Sequence, residues 1–249
     1  MPRFFVPLEQ WNLDQLALSE EEAHHALDVL RLKVGERVTA FNGQGHEATA
    51  EIVATPKGRV ELRVLHQAKT PRLACEIVLG QAIPKGKNMD LILEKATELG
   101  ATEIIPMLSE RTVVRLDATD ARDKQEKWQR VVIEAGKQCG QNWLPTVHTP
   151  VALKAFFDAK PRFDLMLIAS LQPGAQPLKT VLADYAAEHP YARKPRRVLV
   201  LVGPEGDFTP AEISLARGAG CQPITLGPII LRTETAALYC LSVLGHELL

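Results

Sequence analysis

The sequence predicts an α/β protein in which a small β-barrel precedes a parallel sheet covered by helices on both faces. Between residues 35 and 65, short alternating apolar runs are separated by glycine-rich and Pro-Lys-Gly turn signals, which indicates antiparallel strands. After about residue 70, nearly continuous apolar strands alternate with amphipathic helices, the pattern of a parallel sheet. We therefore divide the 249 residues into domains 1–70 and 71–249.

The first domain is expected to contain one helix beside its strands. Its sequence is "SEEEAHHALDVLRL", with Ser19 three residues before Glu22, the spacing of a capping box. Apolar residues then recur at helical intervals, so the helix precedes the β-rich region.

The second domain is expected to alternate strand and helix to its end. The predicted strands are "CEIVLGQA", "TEIIPML", "FDLMLIAS", "RRVLVLVG" and "PITL". The predicted helices are "MDLILEKATELG", "DKQEKWQRVVIEAGKQCG", "PLKTVLADYAAEH" and "TETAALYCLSVLGHEL". Gly100 and Gly140 close the first two helices. Another helix starts at "TPAE", with Thr209 as N-cap, Pro210 at the first position and Glu212 completing a capping box.

Composition excludes several classes of protein. The four cysteines have no CxxC spacing, so no metal site is expected, and we expect free, mostly buried thiols. The net charge of −1 gives no bulk signature of a nucleic-acid binder, although residues 23–72 carry a mild basic excess. We find no apolar run long enough to span a membrane and no signal peptide at the start, which favours a cytoplasmic protein.

Two glycine-proline loops are the places where chemistry is expected. Ligands of open parallel sheets bind beyond the carboxyl ends of the strands. "GPEGDF" follows the strand "RVLVLV", and "GPIILR" follows "PITL". Glycine allows close approach of the backbone to a ligand, although a tight strand-to-helix connection explains the first loop equally well. Neither loop is a dinucleotide fingerprint, and the chain has no P-loop.

These loops carry a resemblance to a known family. "LVGPEGDFTPAEISLARGAG" followed by "LGPIILRTETAAL" is similar to the carboxy-terminal signature of the RsmE-type 16S ribosomal RNA uridine-N3 methyltransferases of the SPOUT superfamily. "PRFFVP", "HHALDVLRLKVGE", "AIPKGKNMDLILEKATELG" and "WQRVVIEAGKQCGQNWLP" agree in the same order. The resemblance implies a PUA-like RNA-binding barrel, a methyltransferase domain with a trefoil knot, S-adenosylmethionine as methyl donor, 16S rRNA in the small ribosomal subunit as substrate, and a homodimer.

The resemblance also implies a set of site residues. Contacts to S-adenosylmethionine are expected from Leu201, Gly203, Leu226, Gly227, Ile230 and Leu231. Three sequence positions depart from the family's usual pattern: Ile229 and Gln141, where arginine is common, and Asp207, where glycine is expected. Aspartate tolerates a positive φ better than most residues, so Asp207 tests whether the loop needs one.

Before a uracil N3 can take a methyl group it must lose its proton, which leaves negative charge on the neighbouring carbonyl oxygens that a fixed guanidinium would stabilise. Arg232 is the predicted cation; a salt bridge to Glu234 or to a second subunit is its alternative role. Glu205 and Glu234 are candidate proton acceptors. RNA contacts are expected from Arg3, Arg31, Lys33, Lys85 and Arg111.

Two other functions remain open at this point. The chain is alternatively a non-catalytic RNA-binding or ribosome-assembly protein, or a SPOUT enzyme that methylates a tRNA ribose 2′-oxygen. The homodimer has separate support from the last helix, which carries apolar residues on more than one face. Those residues are Leu238, Tyr239, Cys240, Leu241, Val243, Leu244 and Leu248.

Overall fold

The computed structural model describes residues 1–56, 58–112, 116–192 and 194–249. The chain forms two compact units. The first contains Met1–Arg72 together with Ile133–Leu144, and the second contains Leu73–Val132 and Pro145–Leu249. The domain boundary between residues 70 and 71 stays a prediction, and the structure adds a later segment to the first unit.

The first unit is built on a small sheet with strand order β1-β3-β4-β5-β2. Its strands are β1 (Arg3–Phe5), β2 (Ala17–Leu18), β3 (Arg37–Phe41), β4 (His46–Ala54) and β5 (Val60–Lys69). Strands β3, β4 and β5 pair antiparallel, as predicted, and β1 pairs parallel to β3. The barrel-like sheet of the predicted fold class is therefore confirmed.

The helix of the first unit begins as predicted but forms only half of the capping box. Helix α1 (Glu20–His24) continues into a π-helical turn, His25–Val29. The Ser19 hydroxyl accepts the Glu22 backbone N–H at 3.3 Å. The buried Glu22 carboxylate instead accepts the Phe5 N–H and lies 2.6 Å from Lys137 Nζ. Burial raises the pKa of Glu22 in spite of this lysine.

The second unit contains the predicted parallel sheet, in which the described strands follow the order β11-β13-β10-β12-β6-β7-β8, with β9 beside β7. The longer strands are β6 (Glu76–Ala82), β7 (Glu103–Leu108), β10 (Leu165–Ala169), β12 (Arg197–Val202) and β13 (Gln222–Thr225). The short strands β8 (Thr146–Val147), β9 (Val151–Ala152) and β11 (Gln176–Pro177) lacked a sequence prediction. All the pairings recorded in this sheet are parallel.

The helices of the second half are α2 (Asn88–Glu98), α3 (Ala118–Cys139), α4 (Leu153–Asp158), α5 (Leu178–Glu188), α6 (Pro210–Gly218) and α7 (Thr233–Leu248). Helices α4 and α6 share an apolar cluster with side chains of β6 and β12 such as Val78 and Leu199. Side chains alternate along a strand, and Gln81 of β6 bonds α7 from the other face. Both faces of the sheet are thus covered, as predicted. The trefoil knot stays a prediction.

Helix α7 packs into its own protomer more deeply than the sequence suggested. Four of the residues offered as extra apolar surface, Cys240, Leu241, Leu244 and Leu248, are buried in the chain's own core. The expectation that they present a second face to a partner is therefore corrected, because α7 packs against α2, β6 and β12. Tyr239 remains exposed, and Leu238 and Val243 are half-buried.

The amino ends of the central strands are joined by ion pairs. Arg197, which begins β12, places Nη2 2.6 Å from Glu103 at the start of β7, and Nε 3.3 Å from Glu76 at the start of β6. The His148 ring lies 2.7 Å from the other Glu103 oxygen. Hydrogen bonds from His148 and Arg197 lower the pKa of Glu103 to about 2, against the opposing effect of its burial.

Candidate functional site

A cavity of about 400 Å³ lies at the carboxyl edge of the parallel sheet. Its wall contains the ends of β10, β12 and β13, the loops that follow them, and the start of α7. This is the edge where ligands of open parallel sheets bind. The two glycine-proline loops predicted to stand side by side both line it.

Five of the six residues expected to contact the cofactor line this cavity: Gly203, Leu226, Gly227, Ile230 and Leu231. Leu201 does not. Its side chain is fully buried in the core and fills the space that a side chain at Gly80 would take. Leu201 lies within β12 with its side chain in the core, so a contact between this residue and the cofactor would have to use its main chain and stays a prediction.

Hydrogen bonds to other segments hold three successive residues of the 203–207 loop in place. The Glu205 carboxylate accepts the Lys85 backbone N–H at 2.8 Å, and the Arg111 guanidinium donates to the Gly206 carbonyl. Asp207 has φ of 62°, so the loop does take a positive φ at the position where the family usually has glycine. Its Oδ2 accepts the Leu171 N–H at 3.1 Å, which joins the loop after β10 to the loop after β12.

Gly203 is placed where the backbone leaves no room for a side chain without a shift. A Cβ at this position would lie 3.1 Å from Phe208 N and 3.3 Å from Asp207 Oδ1. Helix α6 follows directly, and its N-cap is the predicted capping box between Thr209 and Glu212. The Glu212 carboxylate also accepts the Glu110 N–H at 2.9 Å, so the cap holds the loop after β7 as well.

The loop after β13 has fewer hydrogen bonds to the rest of the chain than the 203–207 loop. Gly227 has φ of 116°, which favours glycine, and the Thr225 hydroxyl lies 3.4 Å from its backbone N and O. The side chains of Ile229 and Ile230 are each 74% exposed at the cavity mouth. An exposed, apolar wall with few hydrogen bonds therefore faces a polar wall that has more of them.

The three predicted catalytic residues all line the cavity. Arg232 is the N-cap of α7, and its exposed side chain makes no salt bridge or hydrogen bond with any residue that the structure describes. Its alternative pairing with Glu234 is thus not formed within the described chain. The Glu234 carboxylate instead accepts the Asn88 amide at 3.3 Å.

The predicted RNA-binding residues fall into different surroundings. Arg3 is held inside the first unit, 3.0 Å from Glu47 and 2.6 Å from Asn142. Arg31 and Lys33 are exposed in the first unit. Lys85 and Arg111 are exposed in the second, each bonded to the 203–207 loop. Arg3 has a structural task, and an RNA contact by any of the five stays a prediction.

Sequence reasoning missed several cavity residues. They are Asn88, Ser170, Leu171, Thr225 and Thr233. Ser170 and Leu171 follow the strand "FDLMLIA" directly, so the rule that placed the site beyond the carboxyl ends of the strands also pointed to them. For Asn88 and Thr233, which lie at helix starts, the sequence offered no comparable signal.

Among the residues that the structure describes, no group of three or more His, Cys, Asp or Glu side chains is placed to hold a metal ion. The four cysteines are free, with Cys139 exposed and Cys75, Cys221 and Cys240 buried. Within the same described residues, no helix has both the length and the apolar character needed to cross a membrane.

Comparison with known proteins gives matches over nearly the whole chain. Residues 71–245 match the RNA methyltransferase domain family, and residues 18–65 match the RNA methyltransferase PUA domain family. Ribosomal RNA small subunit methyltransferase E of Bacillus subtilis is 30% identical over 99% of this chain and 97% of its own length.

Two solved structures are similar throughout. A putative methyltransferase of Legionella pneumophila, in complex with the bound cofactor SAM, is 35% identical with a TM-score of 0.87 over 99% of this chain and 98% of that one. Ribosomal RNA small subunit methyltransferase E of Neisseria gonorrhoeae, bound to S-adenosyl methionine, is 35% identical with a TM-score of 0.85 over the same shares. On these matches, the chain belongs to the ribosomal RNA small subunit methyltransferase E family.

Proposed function

We propose that this protein transfers a methyl group from S-adenosylmethionine to N3 of a specific uridine in 16S rRNA of the small ribosomal subunit. The observation that carries this proposal is the cavity at the carboxyl edge of the sheet, where two glycine-proline loops meet and Arg232 stands unpaired among the described residues. A family member with this arrangement has the parts that methyl transfer requires, since positioning and charge stabilisation dominate the reaction.

The residues present fit S-adenosylmethionine. The cavity volume of about 400 Å³ is within the usual range for small-molecule sites. Leu226, Ile230 and Leu231 supply apolar wall for an adenine ring. The crowded backbone at Gly203 provides a close main-chain approach, and the Glu205 and Glu234 carboxylates offer negative charge to a sulfonium cation.

The bound cofactor supplies an activated methyl group, so the protein needs no nucleophile of its own. The uracil N3 must lose its proton before it can bond to the transferred methyl group. Deprotonation leaves negative charge that is shared with the two flanking carbonyl oxygens, and this charge is removed when N3 takes the methyl group and the sulfonium becomes a neutral thioether. The Arg232 guanidinium, exposed at the cavity, is the group that stabilises this charge.

The departing proton is assigned to a carboxylate at the same cavity. Glu205 and Glu234 each accept one hydrogen bond from this chain, from the Lys85 N–H and the Asn88 amide respectively. An ionised carboxylate has further acceptor sites, so either can still take a proton from the base. Both remain candidates for the proton acceptor.

RNA binding is proposed for the first domain together with Lys85 and Arg111. Arg31 and Lys33 are exposed in the first unit, where they are free to meet phosphates. The half-buried and exposed residues Leu238, Tyr239 and Val243 of α7 are the surface proposed for a homodimer. Since 16S rRNA of the small ribosomal subunit is the proposed substrate, a cytoplasmic location is part of the same proposal.

The proposal is tested by incubating the purified protein with labelled S-adenosylmethionine and unmethylated small subunits, and mapping the modified nucleoside by mass spectrometry. We expect one 3-methyluridine in 16S rRNA. A label on a ribose 2′-oxygen would support the alternative SPOUT activity. Absence of S-adenosylmethionine binding in a calorimetric titration would favour a non-catalytic RNA-binding protein.

A further inference from the structure

A buried chain of hydrogen bonds connects the central strand β6 to the cavity. Gln81 is 0% exposed, and its Nε2 donates to the Thr233 hydroxyl at 3.0 Å and to the Ala82 carbonyl at 2.9 Å. The Thr233 hydroxyl, also buried, donates to the Gly203 carbonyl at 2.7 Å. Three elements that are distant in the sequence are thus joined at two residues of the cavity wall, Gly203 and Thr233.

The buried side-chain amide of Gln81 is unfavourable for stability at this position. It lies in a strand whose other residues from Ile77 to Ala82 are apolar or glycine. Its Oε1 is buried and has no hydrogen-bond partner within the described residues. An unpaired buried acceptor lowers stability, so an apolar side chain of similar size would suit stability at least as well.

The direction of these bonds fixes the Thr233 hydroxyl proton. A hydroxyl has one proton, and because Oγ1 accepts from Gln81, that proton is directed to the Gly203 carbonyl. The Gly203 peptide is therefore held in one orientation. Thr233 follows Arg232 directly and begins α7, so the same bond ties the loop after β12 to the backbone that carries the proposed catalytic guanidinium.

We propose that Gln81 and Thr233 are positioning residues for methyl transfer. Gln81 orients Thr233, and Thr233 ties the cofactor loop at Gly203 to the first turn of α7. This inference rests on the proposed function, since it assigns these residues to the reaction at that cavity. Neither residue is required to touch the methyl group or the uracil.

The test compares Thr233→Val, Thr233→Ser and Gln81→Met with the wild-type protein. A matched control is Thr97→Val, because Thr97 is also fully buried and donates its hydroxyl to a carbonyl, that of Leu93 within α2, away from the cavity. Single-turnover methyl transfer at saturating donor, donor affinity by calorimetry and thermal stability are measured on each folded protein.

We expect Thr233→Val to lower the single-turnover rate about 10- to 100-fold, the size of effect that a misplacement of about 1 Å produces. Thr233→Ser keeps the hydroxyl and should retain activity within about threefold. Gln81→Met should lower the rate about 10-fold while leaving thermal stability unchanged or raised. Thr97→Val should change stability without changing the rate.

Wild-type rates in Thr233→Val and Gln81→Met would overturn the positioning role while leaving the proposed function intact. If Thr233→Val does not fold, Gln81→Met decides alone: a rate loss at full stability supports the role, and an unchanged rate overturns it. A rate loss that only follows stability, equal to that of Thr97→Val, also overturns it. If the wild-type protein neither binds the donor nor transfers a methyl group, the proposed function itself fails.

Discussion

The two edges of the parallel sheet use charged residues in opposite ways. At the amino edge, Arg197 is within ion-pair distance of Glu76 and Glu103, and His148 closes the group. At the carboxyl edge, Arg232 has no partner among the described residues, and two isoleucines are exposed beside it. One edge satisfies its charges internally, and the other leaves a cation and an apolar wall available to a ligand.

The comparison shows that a perturbed pKa does not by itself locate a functional site. The pKa of Glu103, about 2, is strongly shifted, yet Glu103 belongs to the edge away from the cavity. Its shift arises from hydrogen bonds and charges that join three strands, a structural cause. The group assigned to chemistry, Arg232, is identified by its missing partner and by its place at the cavity.

The largest effect is expected from Arg232→Ala at the carboxyl edge. Loss of the Arg232 guanidinium should raise the barrier to methyl transfer by about 2 to 4 kcal/mol, because charge on the uracil oxygens is no longer stabilised. Donor affinity should change little. Single-turnover rates at saturating donor measure this, and Arg232→Lys should recover only part of the rate, since a point charge does not reproduce a planar fork.

The matched control is Arg217→Ala in α6, which removes an exposed arginine that does not line the cavity. It should leave the rate unchanged. A near-normal rate in Arg232→Ala, with weaker donor binding and a smaller dimer fraction in the same sample, would mean that the guanidinium holds a subunit contact instead.

The second effect concerns the amino edge and appears in stability. The pKa of Glu103 is lower in the folded protein than in the unfolded chain, where it is near 4.5. The contribution of this carboxylate to the free energy of unfolding is therefore fully present above pH 4.5 and is lost as the pH falls through about 2. Near pH 7 the contribution should be on the order of 2 kcal/mol. Urea unfolding of wild type and Glu103→Gln from pH 7 to pH 2 measures it.

The difference in unfolding free energy between the two proteins should shrink steadily from pH 5 to pH 2, while the activity of Glu103→Gln at pH 7 stays near wild type. A difference that does not depend on pH would show that the carboxylate charge at this edge does not stabilise the fold.

A third, smaller effect is expected from Gly203→Ala. The added Cβ would lie 3.1 Å from Phe208 N, so the loop must move and donor affinity should fall by about 10-fold. The control is Gly218→Ala in α6, where a Cβ meets nothing within 4 Å and φ is not positive. That change should leave donor binding intact and stabilise the helix by about 0.5 to 1 kcal/mol. Calorimetry gives the affinities, and equal affinities in both variants would contradict the close approach.

The smallest effect is expected at Asp207, which joins the loops after β10 and β12. Asp207→Gly keeps the positive φ but removes the bond to the Leu171 N–H, so donor affinity should fall about threefold. Asp207→Asn keeps an acceptor oxygen, so its donor affinity should fall less. If both variants bind the donor as wild type does, this side-chain bridge is not part of the preformed wall.

Much of the fold followed from patterns within single segments. The strands of the second unit were predicted because they are continuous apolar runs, and α6 because Thr209, Pro210 and Glu212 carry a complete start signal. The replacement of glycine by Asp207 raised the question of a positive φ in this loop, and the structure answers it with φ of 62°. The cavity was placed by the rule on strand ends, and the family followed from motifs in the right order.

What the sequence did not reveal depends on partners far along the chain. The burial of Leu201 against Gly80 depends on pairing between β12 and β6, which sequence periodicity does not specify. Glu22 left its capping role because Lys137 and the Phe5 N–H compete for its carboxylate. Strands of two residues and the six-residue α4 are too short to show a period.

The composition of the first unit has a consequence for synthesis of the chain. The first unit includes the later segment Ile133–Leu144. In this segment, the Asn142 side chain accepts a hydrogen bond from Arg3, and the Trp143 ring N–H donates to the Thr70 carbonyl. On the ribosome these partners emerge only after the intervening residues, about 4 to 14 s later at roughly 5 to 20 residues per second. The amino-terminal barrel, although made first, therefore completes its contacts while the parallel sheet is already being synthesised.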